Sequence, residues 1–401
     1  MPEQPSTYTN LAGFANEYNN TQNLFYVGQD QRLYWLVWQN GQWTPIDLLT
    51  QLNQVHITLP FPIAGNGSRS GTPLSSNAFR AYEAGFLFYV ANDSRHLIGL
   101  PIPPVTGAPV PVGGSLTEAL NPDLTARVGV PPVGPGSPLA SYAWESQKSQ
   151  HVFYIGDDGN VWELYFLVGQ VDPKLGGFLW QANNLSVHTG YTGALAPKPG
   201  GPLVAYMFES QGTEHVVYID KGNTIRELYY SGGKWAGNDL LEATGAPAPR
   251  GNTHLAGYAA EYEKTQHVVY VAGNGDVQEL YWNGAWRKGQ PDLTETTGAP
   301  KPASNSVLFG WSVEYEKSEH VIYSDTETLW ELYHNGGGWG LTDLIASAGS
   351  GAPPPVDSAT PLAAYPFENQ NTDHILYLDQ NNQLHELYRS GNAWYAGEKT
   401  G

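Results

Sequence analysis

Histidine and glutamate recur along this chain at a nearly constant separation. His151 and Glu163, His215 and Glu227, His267 and Glu279, and His374 and Glu386 stand 12 residues apart, and His320 and Glu331 stand 11 apart. A neutral imidazole offers one donor and one acceptor, while a carboxylate offers two acceptor oxygens. Side by side they make a compact polar pair that suits the vicinal hydroxyls of a sugar. A tryptophan follows four of the pairs, as Trp235, Trp286, Trp339 and Trp394, with Trp180 and Trp43 as looser equivalents. An aromatic face is the natural partner for the apolar C–H face of a pyranose. A second carboxylate precedes each copy, as Glu17, Glu83, Glu145, Glu209, Glu261, Glu314 and Glu368.

The elements that carry these residues are short strands in a repeat. A tyrosine recurs as Tyr26, Tyr89, Tyr154, Tyr218, Tyr270, Tyr323 and Tyr377, at steps of 63, 65, 64, 52, 53 and 54 residues. That period belongs to propeller blades, not to helical repeats. The fourth copy reads as strand A at Leu203 to Phe208, strand B at His215 to Ile219, strand C at Ile225 to Tyr230, and strand D from Lys234 into Asp239-Leu240-Leu241. Asp220-Lys221-Gly222-Asn223 and Ser231-Gly232-Gly233 supply the turns between them. Val216, Val217, Tyr218 and Ile219 are apolar at both parities, the pattern of a sheet covered on both faces. The spacing therefore predicts an all-β, seven-bladed β-propeller with four antiparallel strands per blade. One domain over residues 1–401 is expected, with blades near 8–70, 71–134, 135–198, 199–249, 250–302, 303–355 and 356–401. Each copy begins with strand A and ends with strand D, so closure is expected from packing of the first blade on the last, or from residues 2 to 9 adding to an edge.

Copies one and two depart from the pattern. The first has Asn23 and Trp35 at the histidine and glutamate positions, and the second has Phe86 and Gly99. The proline-rich stretch from Pro101 to Pro135 reads as a long surface loop. Copy three carries an insertion from Leu167 to Gly177.

Composition excludes several functions. A net charge of -19 with 19 scattered Lys and Arg opposes a phosphate backbone, so no nucleic-acid partner is expected. With no cysteine, disulfides and thiolate metal sites are ruled out. Neither a signal peptide nor an apolar run of bilayer length is present, so a soluble chain without membrane insertion is expected, cytoplasmic or released by a non-classical route. One His and one Glu per blade are too few ligands for a metal, and no cofactor is expected.

Each recurring residue also has an architectural reading. The His–Glu pairs, placed opposite one another on strands B and C, can be internal hydrogen bonds, because buried polar groups are normally partnered. The tryptophans can be blade core. The strand A carboxylates can accept backbone N–H groups of their own A–B turns. In favour of ligand binding, copies one and two lose His and Glu together while keeping the rest of the blade.

The motif Thr265-Gln266-His267-Val268-Val269-Tyr270, followed by Glu279-Leu280-Tyr281 and Trp286, resembles the blades of the fucose-specific lectin propellers, both the six-bladed fungal Aleuria type and the seven-bladed bacterial lectins. The resemblance covers residues 135–401 well and 8–134 poorly. It implies sugar pockets in which Glu163, Glu227, Glu279, Glu331 and Glu386 accept hydroxyls beside aromatic residues. The arginine of the Aleuria motif is replaced here by His151, His215, His267, His320 and His374. The expected function is a multivalent, non-enzymatic lectin for fucose or a related monosaccharide, with glycoconjugates as partners and a homo-oligomer as a compatible state. A protein-binding scaffold is the alternative, followed by a propeller glycoside hydrolase, which would need differentiated acid and base roles that identical repeats do not offer.

Overall fold

The structure is a computed structural model, and it describes residues 4–5, 9–46, 48, 73–102, 122–251, 253–289, 291–325, 327–349, 360–379 and 381–397. The chain forms two compact units, Met1–His188 and Thr189–Gly401. The first contains blades one to three and the second blades four to seven.

The fold is the expected all-β, seven-bladed propeller type. Six sheets have four antiparallel strands in the order A-B-C-D, and the second has three among the described residues. In blade two these are Leu74–Phe79, Ala84–Val90 and Leu97–Ile102. Much of the expected Pro101 to Pro135 loop, residues 103–121, lies outside the described residues.

The periodic tyrosine ends strand B because its ring and its hydroxyl both have work there. All seven of these tyrosines are buried, and the phenols of Tyr154, Tyr218, Tyr270 and Tyr323 donate to the carbonyls of Pro131, Leu195, Pro247 and Pro300 at 2.9, 2.9, 2.6 and 2.7 Å. Each bond ties a blade to the connecting segment before it. A hydroxyl in the same segment repeats the tie. Thr9, Ser137, Thr253 and Ser306 accept the backbone N–H of Val27, Ile155, Val271 and Ser324 at 2.8 to 2.9 Å. Residues 4 and 5 follow the same plan: Pro5 bridges Gly28 as Pro197 bridges Asp220 and Pro249 bridges Ala272. They dock on the B–C turn of their own blade, which is the place of a connecting segment.

Strand D was expected to continue through Leu240 and Leu241. Instead it ends at Asp239, whose carboxylate caps a single helical turn, Leu240–Thr244, by accepting the Glu242 N–H at 2.9 Å. Asp123, Asp292 and Asp343 cap Leu124–Val128, Leu293–Thr297 and Leu344–Ser347 in the same way. The following leucine of each turn is buried in the core, and Gly245 at φ 63° closes one turn in the left-handed region that glycine enters freely.

Candidate functional site

All five His–Glu pairs form. The imidazole Nδ1 to carboxylate Oε1 distance is 2.7 Å for His151–Glu163 and His320–Glu331, and 2.8 Å for His215–Glu227, His267–Glu279 and His374–Glu386. The geometry corrects one expectation: the two residues are not directly opposite. Glu227 faces Val217 and His215 faces Tyr229, so the pair is a diagonal on one sheet face. The B–C turn is centred one residue later than the midpoint of the pair. In blade six the loss of one residue falls within the turn, and Ile322 faces Glu331 just as Val217 faces Glu227. An 11-residue spacing thus preserves the same diagonal.

The pairs are internal to the blades. On the far side of each ring, Nε2 meets the hydroxyl of Ser149, Thr213, Thr265, Ser318 or Thr372 at 2.7 to 2.8 Å. Each ring also stacks on an aromatic side chain of strand A. Tyr142, Tyr206, Tyr258, Trp311 and Tyr365 lie 5.0 to 5.8 Å from the imidazole centroids. All ten paired residues are buried. The hydroxyl was visible as the first position of the strand B motif, but its role required the knowledge that residues two apart share a face.

The second carboxylate oxygen separates the copies. Glu163 Oε2 accepts from Asn183 at 2.7 Å. Glu227 Oε2 accepts from Asn238 at 2.7 Å and from Trp286 Nε1, on the next blade, at 2.9 Å. Glu331 Oε2 accepts from Trp394 Nε1, again on the next blade, at 3.0 Å. These two tryptophans serve the glutamate of the preceding blade, not that of their own. Glu279 differs. Its strand D neighbour is Gly289, and Trp339 of the next blade packs on His334 with centroids 5.6 Å apart. Among the described residues, Glu279 Oε2 accepts no hydrogen bond. Trp235 packs on Tyr230 at 5.6 Å, and Trp180 lies buried against Phe166 at 4.9 Å.

The degenerate blades fill the same place differently. In blade one, Trp35 Nε1 donates to Asn23 Oδ1 at 3.0 Å, on the same diagonal. In blade two, Phe86 and Gly99 leave no polar group, and a Cβ at Gly99 would meet Leu124 Cδ1 at 2.7 Å. Joint loss is therefore joint replacement: a polar pair by a polar pair, or by apolar packing.

Three of the strand A carboxylates accept backbone N–H groups from the A–B turn of the preceding blade, where their own turn was expected. Glu145 accepts the Arg80 N–H at 2.7 Å, Glu261 accepts Glu209 and Ser210 at 2.6 and 3.0 Å, and Glu314 accepts Glu261 at 3.1 Å. Within each unit, strands A of successive blades lie side by side, which puts the end of one within reach of its neighbour's turn.

At the junction of blades five and six a third group joins the pair. Glu319 Oε2 lies 3.2 Å from His267 Nδ1 and accepts the Tyr258 hydroxyl at 3.0 Å, while Oε1 accepts Tyr262 at 3.3 Å. His334 Nδ1 is 3.7 Å from Glu319 Oε1. Burial pushes Glu319 above the usual carboxylate range, against the opposing pull of His267. Burial also draws His267 down, but the Glu319 and Glu279 carboxylates outweigh it and leave the imidazole raised above 6.5. The premise of one His and one Glu per blade fails here, although the groups are engaged with one another and with the tyrosines.

No family model matches the chain, and no curated protein matches it. Solved structures do. A fungal lectin from Aleuria aurantia, described as a six-bladed β-propeller with a novel fucose recognition mode, is 15% identical with a TM-score of 0.56, covering 100% of this chain and 98% of its own. AofleA from Arthrobotrys oligospora is 14% identical with a TM-score of 0.54, covering 84% and 86%. The SapL1 lectin, solved with alpha methyl fucoside, is 14% identical with a TM-score of 0.51, covering 85% and 97%. The seven-bladed chain shares the β-propeller fold of these proteins.

Proposed function

We propose that this protein is a carbohydrate-binding propeller lectin that takes fucose or a related monosaccharide in the grooves between adjacent blades. The observation that carries the reading is the pairing of a carboxylate with the indole of the next blade, as in Glu227 with Trp286 and Glu331 with Trp394. An acceptor and an aromatic face from two blades are the components a pyranose needs, and the solved propellers of similar fold include lectins whose descriptions name fucose. The junction of Glu279 and Trp339 is the favoured pocket, because its carboxylate keeps an oxygen without a described partner. Capped glutamates must first surrender Asn238, Trp286 or Trp394, so fewer than five sugars should bind per chain.

The Ser/Thr–His–Glu order resembles a nucleophile triad, yet it serves no turnover in this reading. The hydroxyls lie two residues from the histidine on the same strand, and Ser149 is 0% exposed. A nucleophile has to reach its substrate. Glycans are the proposed partners, with multivalent avidity as the benefit of repetition.

A glycan array followed by calorimetric titration with monosaccharides tests the proposal. Binding is expected with a stoichiometry below five, and Glu279→Gln together with Trp339→Ala should abolish the strongest class of sites. A folded protein that retains no glycan would end the lectin reading and leave the scaffold alternative.

A further inference from the structure

The His–Glu pair of blade five meets a carboxylate where the pair of blade four meets an amide. Between blades four and five the residue facing the pair across the groove is an amide: Gln266 Oε1 accepts the Tyr206 hydroxyl at 3.3 Å. Between blades five and six the same place is taken by Glu319, which accepts Tyr258 at 3.0 Å. His267 Nδ1 then lies 2.8 Å from Glu279, with which it hydrogen-bonds, and 3.2 Å from Glu319, so two carboxylates from different blades flank one imidazole nitrogen. Glu319 is 2% exposed, and two like charges so close in a dry place are unfavourable unless a proton lies between them.

We propose that this junction is a proton-dependent latch, in which protonated His267 draws Glu279 of blade five and Glu319 of blade six together, and its deprotonation at higher pH loosens the contact. The surroundings fit both states. Thr265 Oγ1 sits 2.8 Å from His267 Nε2, and a hydroxyl can accept from an imidazolium or donate to a neutral ring, so no hydrogen bond is lost on titration. The remaining groups that face the cluster are Tyr258 and Tyr262, which donate to Glu319, His334 beside its Oε1, and Glu263 and Glu314, whose charges act on His267 and on Tyr262.

The sign of the coupling follows from the directions already described. His267 and Glu319 are both raised, so the folded chain holds protons more tightly than the unfolded one, and stability falls as pH rises. The contribution is full below 4.5, the ordinary glutamate value, and is lost through and above 6.5, the ordinary histidine value. The two groups titrate as a coupled unit.

The test uses the whole chain and no sugar, so it stands apart from the lectin reading. Histidine resonances are followed by NMR across pH, with His267 assigned from their loss in H267N, since Asn23 occupies this position in blade one. Thermal unfolding is measured over the same range. The His267 midpoint is expected above 6.5, and E319Q should lower it by about one pH unit or more and flatten the fall in melting temperature. Gln at residue 319 repeats what Gln266 does in the neighbouring blade. An unchanged midpoint and slope in E319Q would overturn the latch. Should E319Q not fold, a native His267 midpoint at or below 6.5 overturns it and one above supports it.

Discussion

The clearest lesson at the scale of single residues is in Asn23 and Trp35. They stand on the diagonal occupied elsewhere by histidine and glutamate, and they too are joined, at 3.0 Å. What the blade requires there is that any polar group be partnered, with apolar packing as the other solution in blade two, since a buried polar atom without a partner costs about 1 to 3 kcal/mol. Breaking one side of a pair should therefore be expensive in every intact blade. We expect Glu227→Gln to lose about 2 to 4 kcal/mol in urea unfolding, because it weakens the links to His215, Asn238 and Trp286 together. A loss below half a kcal/mol would count against an architectural role for the pair. Glu279→Gln should be the milder change, as its second oxygen has no described partner to lose.

Among elements, the capped helical turn after strand D does the most to punctuate the repeat. The sequence Asp-Leu recurs at Asp123, Asp239, Asp292 and Asp343, where each carboxylate accepts an N–H at 2.9 Å and each leucine is buried. Asp292→Ala should cost about 1 kcal/mol, as loss of an N-cap does. Asp239→Ala with Asp292→Ala should cost about the sum, because the two turns belong to separate blades and share no partner. Denaturant titration of the single and double variants measures both. A synergistic loss would mean that the turns are coupled through blade packing.

For the whole molecule we propose one domain over residues 1–401, as expected of a repeat array in which each blade packs on its neighbours. Calorimetry should give one transition with equal calorimetric and van't Hoff enthalpies. Two transitions would mark residues 1–188 and 189–401 as independent folding bodies. The net charge of -19 makes the chain a poor ligand for polyanions, and no salt-dependent retention on DNA is expected. Among the described residues no helix is long and apolar enough to cross a membrane.

The sequence by itself determined the repeat. The tyrosine spacing, the strand lengths and the two-sided apolar pattern of strand B are local properties, written once per blade, and they required seven sheets of antiparallel strands. It also singled out His215 and Glu227 as a pair, because a period of two and a short turn leave few alternatives for their face. The capped turn at Asp239 was legible in principle as Asp-Leu before Gly245 but reads equally well as the end of a strand. Only the tertiary structure decided what the pairs touch. Trp286 meets Glu227 across 59 residues and Glu261 meets Glu209 across 52, contacts that depend on one blade's placement beside the next. The convergence of Glu319 on His267 belongs to that class as well. Repeats reveal what each blade shares, whereas the chemistry of a junction arises from two blades that differ, and only their packing brings such residues within hydrogen-bond reach.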